Sequence, residues 1–218
     1  MSEVNLLLEF ICFAMALYFL KGNNDKFALF TKLYLGLVCV TEISGFMWKL
    51  YTNKSNVWIY NIYILFEVLY VSFGLYHFIK PFKKNARPLY ISAYFVFIAV
   101  YLYGVFTRGA FKFQTTAIMV ASVLIVFLCL YYYYNLMKSD KIISIRNSFG
   151  FWWVAAVLFF YFGSTVYNLF MNVIFSNKPF AYEILVYIML TLNAILYGIW
   201  SYSFICSSRH QKLLTSSY

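Results

Sequence analysis

The sequence predicts an all-α membrane protein, a polytopic bundle of seven transmembrane helices with the N-terminus out and the C-terminus in, and three observations predict it. Of 218 residues, 64% are hydrophobic, 24% aromatic and only 11% charged. That is too many apolar side chains and too few charges for a chain that must clothe itself in polar surface. The apolar residues gather in seven runs of roughly 20 residues, the length that crosses a hydrocarbon core. The basic residues sit almost wholly in the short gaps between runs, more of them on one side than on the other.

The first run, 4–20, has no basic segment ahead of it and no small-residue cleavage site before Lys21, so it is expected to stay as a helix rather than leave as a signal peptide. The second, 27–50, carries Lys32 at one end and Trp48 and Lys49 at the other. The third, 57–79, opens on Trp58 and Tyr60 and is closed by the densest basic cluster of the chain, Lys80, Lys83, Lys84 and Arg87. The fourth, 89–107, stops at Arg108. The fifth, 115–137, contains the run Tyr131 to Tyr134, and the sixth, 149–174, begins with Trp152 and Trp153, so aromatic belts mark both interfaces. The seventh, 182–206, is followed by a short tail, 207–218. None of the gaps is long enough for an extramembrane domain, so the chain reads as one membrane domain, 1–218.

Orientation follows from the basic residues. The gaps after helices one, three and five, the tail and Lys32 hold twelve Lys and Arg; the other side holds five. The richer side is expected to face the cytoplasm, placing the protein in a bacterial inner membrane with its basic loops against anionic headgroups or a partner. The net charge of +10 therefore reads as topology, and nucleic acid is not an expected partner. Cys12, Cys39, Cys129 and Cys206 lie inside or at the ends of apolar runs, without metal-ligand or redox spacing, and read as small core residues.

The informative residues are polar groups inside the spans. A carboxylate at mid-bilayer costs roughly 2.5–3.5 kcal/mol on insertion scales, so it normally faces the bundle interior or a watery cavity. Glu42 and Glu67 are the first candidates for ligand or ion binding. Glu9 and Glu183 lie nearer water and read as structural. On the third helix Tyr60, Tyr63, Glu67, Tyr70 and Gly74 share one face by helical spacing. With Asn61, Asn168 and Asn193 at similar depth, and Ser164 and Thr165 beside them, they suggest an outward-facing polar pocket. Asn, Ser and Tyr also serve as interhelical hydrogen-bonding groups, a purely structural account of the same residues.

Several chemistries lack their residues. His77 and His210 are the two histidines and both lie outside the middle of the spans, so an intramembrane His-based zinc site is not expected. Asp25 and Asp140 fall in loops, which removes aspartyl intramembrane proteolysis. The seventh run has no Lys for a retinal Schiff base. No nucleotide-binding motif, cofactor site or metal site is expected.

Three stretches, residues 42–51 leading into VWIYNIYILFE (57–67), FWWVAAVLFFYFGS (151–164) and LNAILYGIWSYSF (192–204), resemble a family of small seven-span membrane proteins common in Bacteroidota-type bacteria. The family-like positions are Glu42, Trp58, Tyr60, Asn61, Tyr63, Glu67, Trp152, Tyr161, Gly163 and Asn193. Members are often encoded near sensor histidine kinases, so the resemblance implies membrane signalling and a kinase-like membrane partner; it implies no catalytic residue. The expected function is a non-enzymatic sensory component that binds a small ligand or lipid and acts through a partner. Competing readings are an accessory subunit of a larger membrane assembly and a transporter or channel using Glu42 or Glu67 as a proton or cation site. A lipid-modifying enzyme with a Glu general base fits the composition least.

Overall fold

The computed structural model describes residues 2–23, 25–139, 145–174 and 179–215. They form seven α-helices, α1 (Ser2–Phe19), α2 (Lys26–Thr52), α3 (Val57–Ile79), α4 (Arg87–Arg108), α5 (Thr115–Met137), α6 (Phe149–Ile174) and α7 (Pro179–Thr215), with no strand among the described residues. Six of them, α2 to α7, are long and apolar enough to cross a membrane. The outer surface they present, with Leu33, Phe66, Phe95 and Phe106 exposed, is of the kind that lipid covers. The chain is thus an α-helical membrane protein.

Two elements differ from the expected runs. Helix α1 has 18 residues, which at 1.5 Å rise reach about 27 Å, slightly less than the ~30 Å hydrocarbon layer; its apolar part, Val4–Phe19, is shorter still. Helix α7 continues past Cys206 to Thr215, because the polar stretch after the apolar run contains no Gly or Pro to stop it.

Local chemistry sets the ends. Asp25 caps α2 by accepting a hydrogen bond from the backbone N–H of Phe27, and Asn53 ends it in the left-handed conformation, its own N–H donating to the carbonyl of Lys49. Pro88 sits in the first turn of α4, where its missing N–H costs nothing. Gly109, at φ 90°, turns the chain out of α4.

Six helices close a ring in which α1 packs on α2 and α7, α2 on α3, α3 on α5, α5 on α6, and α6 on α7. Helix α4 lies outside that ring against α3 and α5, and buries one stripe, Tyr90, Phe97, Tyr101 and Gly104. The side of the ring nearer the Lys80–Arg87 loop is filled by aromatic rings. Trp153 and Trp200 stack at 5.6 Å, Tyr34 and Tyr70 stack at 3.9 Å, and Phe27 meets Tyr70, Phe78 and Trp153. The polar atoms of Tyr70 and Trp153 pair internally: Thr31 and Tyr70 share a hydrogen bond of 3.1 Å, and Trp153 Nε1 donates to the Tyr70 hydroxyl at 3.3 Å. Gly74 is what lets α3 approach this slab, since a Cβ there would come within 2.5 Å of the Trp153 ring and 2.9 Å of Phe27. The four cysteines are free and buried.

Candidate functional site

Above the aromatic slab, in the half of the ring nearer the start of α1, lies a cavity of about 170 Å³ walled by α1, α2, α3, α6 and α7. Among the described residues three carboxylates line it, one from each of three helices: Glu9 of α1, Glu42 of α2 and Glu67 of α3. Tyr34, Tyr63, Tyr161 and Tyr197 fill the wall between them, and Trp200 also lines it. Among the described residues no Lys, Arg, His or Asp lines it. Among the described residues the ion pair is His77 with Asp25, 3.1 Å apart, at the basic end of the bundle.

Each carboxylate is held by a tyrosine hydroxyl. Tyr161 donates to Glu67 Oε1 at 2.8 Å, Tyr60 to Glu42 Oε2 at 3.1 Å and Tyr197 to Glu9 Oε1 at 3.4 Å, the last oxygen also accepting from Asn5 Nδ2 at 3.4 Å. Tyr34 and Tyr63 pair hydroxyl to hydroxyl at 2.7 Å. These bonds use one oxygen per carboxylate. Glu9 Oε2, Asn5 Oδ1 and Trp200 Nε1 are buried with no hydrogen-bond partner, although Glu9 is only 3% and Trp200 only 1% exposed. Orphaned polar atoms at this depth are costly, and their clustering on one cavity marks it as more than a packing defect.

The sequence candidates divide. Glu42, Glu67, Tyr63 and Asn193 line the cavity. Tyr60 positions Glu42 and faces a second, adjoining cavity between α3, α5 and α6. Glu67, Tyr63 and Tyr161 line both cavities.

Asn61 does something else: its Nδ2 donates to the carbonyls of Ala110 and Lys112, its Oδ1 accepts from the Gln114 N–H, and its backbone carbonyl accepts from Tyr101. It pins the loop between α4 and α5. Asn168 folds back on its own helix, donating to the Ser164 carbonyl, and is not a lining residue of either cavity. Lys80, Lys83 and Arg87 are exposed at the opposite end; the side chains of Lys84 and Glu183 lie outside the described residues.

Glu9 corrects its sequence reading. Distance from the helix end places it near water, but α7 covers it, with Tyr197 and Trp200 as neighbours in the same wall. The cavity also takes Tyr34, Tyr161 and Tyr197, of which the sequence marks only Tyr161, through the family resemblance. A stripe on α2, Tyr34, Val38, Thr41 and Glu42, and another on α7, Asn193, Tyr197 and Trp200, carry the helical spacing that marks them.

Among the described residues no three His, Cys, Asp or Glu converge closely enough to ligate a metal ion. The carboxylates surround the cavity instead of meeting at a point. Fold and site together define an α-helical membrane protein with a buried acidic and aromatic pocket. No family model, curated protein or solved structure matches the chain.

Proposed function

We propose that the chain is a non-enzymatic sensory component of a bacterial inner membrane whose pocket binds a small organic ammonium ion, and which acts through a partner protein. The observation that carries this reading is the wall itself, in which the described residues place three carboxylates from three helices and no basic residue. A positive ligand among buried carboxyl groups that have no basic neighbour favours their ionised form and is stabilised by it in turn. Tyrosine and tryptophan faces add cation–π attraction, which suits alkylammonium groups better than strongly hydrated metal ions. Spread carboxylates fit a cation larger than a bare metal.

In this reading all seven helices span, with the N-terminus outside. Support for α1 as a span comes from its packing against α2 and α7 and from Glu9 sharing a cavity with Glu42 and Glu67. Support for the orientation comes from the excess of basic residues on the side away from the pocket. With no effector domain, the bundle would report occupancy by way of a membrane partner, a sensor kinase being the kind implied by the family resemblance.

Titration calorimetry of the purified protein in neutral detergent tests the ligand class. Methylammonium or tetramethylammonium is expected to bind saturably, and Glu67→Gln to weaken binding about tenfold or more, the value of a hydrogen bond or contact to a charged group. Equal heats for the wild type and a Glu9→Gln/Glu42→Gln/Glu67→Gln protein would sink the reading.

A second reading, transport, is favoured by one observation: Glu67 stands in the wall shared by two cavities. It predicts ammonium flux in proteoliposomes that Glu67→Gln abolishes. Binding without flux leaves the sensor.

A further inference from the structure

On the opposite end and outer surface of the bundle, α3 and α4 leave a groove of about 400 Å³ between two matched stripes. Leu69, Ser72, Phe73 and Tyr76 of α3 form one wall, and Arg87, Tyr90, Ile91 and Tyr94 of α4 the other. Both follow the i, i+3, i+4, i+7 spacing of a single helix face. The groove is open to the surface, with Leu69 42% and Ile91 43% exposed. Its lining is mostly apolar, with Arg87 at one end and Ser72 and Tyr94 away from it.

That end is positively charged. Arg87 lines it and is exposed, and Lys80 and Lys83 stand exposed in the loop that leads to it. The short 3-10 turn Lys84–Ala86 packs against both α3 and α4 there. Tyr90, only 3% exposed, contributes its ring to the wall beside Tyr76. Among the described residues no Asp or Glu lines the groove to neutralise Arg87.

We infer that this groove holds one anionic phospholipid of the leaflet on the basic side of the bundle, an acyl chain lying between α3 and α4 and the phosphate near Arg87. Charge complementarity selects the occupant. An apolar protein helix could fill the walls, but it would leave the guanidinium without an acceptor, whereas a phospholipid brings both an apolar tail and an anionic acceptor. The site is separate from the acidic pocket, and the two lie at opposite ends of the bundle with opposite charge.

Native mass spectrometry of the full chain in neutral detergent tests this with phosphatidylglycerol and phosphatidylcholine of the same acyl chains. Wild type is expected to retain one phosphatidylglycerol in preference to phosphatidylcholine. Arg87→Ala is expected to weaken retention about fivefold, the effect of one basic residue near an anionic headgroup. Ile91→Trp, which fills the groove, is expected to abolish it; should that protein unfold, Leu69→Trp fills the same space from α3. Retention unchanged by the filling substitution, or equal affinity for the zwitterionic lipid, overturns the proposal, as does loss caused by Lys80→Ala/Lys83→Ala alone with Arg87→Ala silent.

Discussion

The two halves of the ring bury similar residue types to opposite ends. Toward the basic loops, Phe27, Tyr70, Trp153 and Trp200 interlock, and the hydroxyls and the indole of Thr31, Tyr70 and Trp153 satisfy one another. Toward the start of α1, Tyr34, Tyr63, Tyr161 and Tyr197 surround three carboxylates and leave Glu9 Oε2, Asn5 Oδ1 and the Nε1 of Trp200 unpaired. One half is a seal, the other a receptacle. Trp200 belongs to both, stacking on Trp153 with one face while lining the cavity.

Removing the shared wall should break the comparison most severely. Trp200→Ala is expected to cost about 3–5 kcal/mol of stability, read as a lowered unfolding midpoint in detergent, and to abolish ammonium binding with it. Gly74→Ala attacks the seal alone; a methyl meeting the Trp153 ring is expected to cost about 1–3 kcal/mol by overpacking, while the remaining folded protein keeps its ammonium affinity.

Asn61→Ala tests a residue that belongs to neither half. It frees the carbonyls of Ala110 and Lys112 and the N–H of Gln114, so about 1–3 kcal/mol of stability should be lost, seen as faster hydrogen exchange in residues 109–114, with calorimetric affinity unchanged. The smallest effect is expected for Tyr60→Phe. Its hydroxyl positions Glu42 from a half-buried site, so a loss of about 1 kcal/mol or less in binding and little in stability would sharpen the distinction between positioning and lining residues.

The helices were legible because apolar length and gap chemistry are local properties; α3, α5 and α6 begin and end where their apolar runs do. The inward face of α3 was legible for the same reason, since Tyr63, Glu67, Tyr70 and Gly74 obey one helical period. What the sequence hides is which helix covers which. Glu9 became a cavity residue only because α7, 188 residues away at Tyr197, packs over α1. Asn61 looked like a pocket residue because it shares the depth of Tyr60 and Tyr63, but its partners lie 49 and 51 residues further on, in a loop whose return to α3 no local pattern signals. The cavity tyrosines are hidden by number, since 22 tyrosines leave interfacial belts and pocket walls indistinguishable until the helices are assembled.

The central claim is that the acidic pocket opens on the side of the N-terminus and takes a cation. Asn193→Cys, in a chain whose four native cysteines are replaced by serine, places a thiol in the pocket wall for labelling by a membrane-impermeant maleimide in intact spheroplasts. The account predicts labelling from outside, slowed by millimolar tetramethylammonium. Labelling only in inverted vesicles, or a rate that the ammonium ion leaves unchanged, would contradict it.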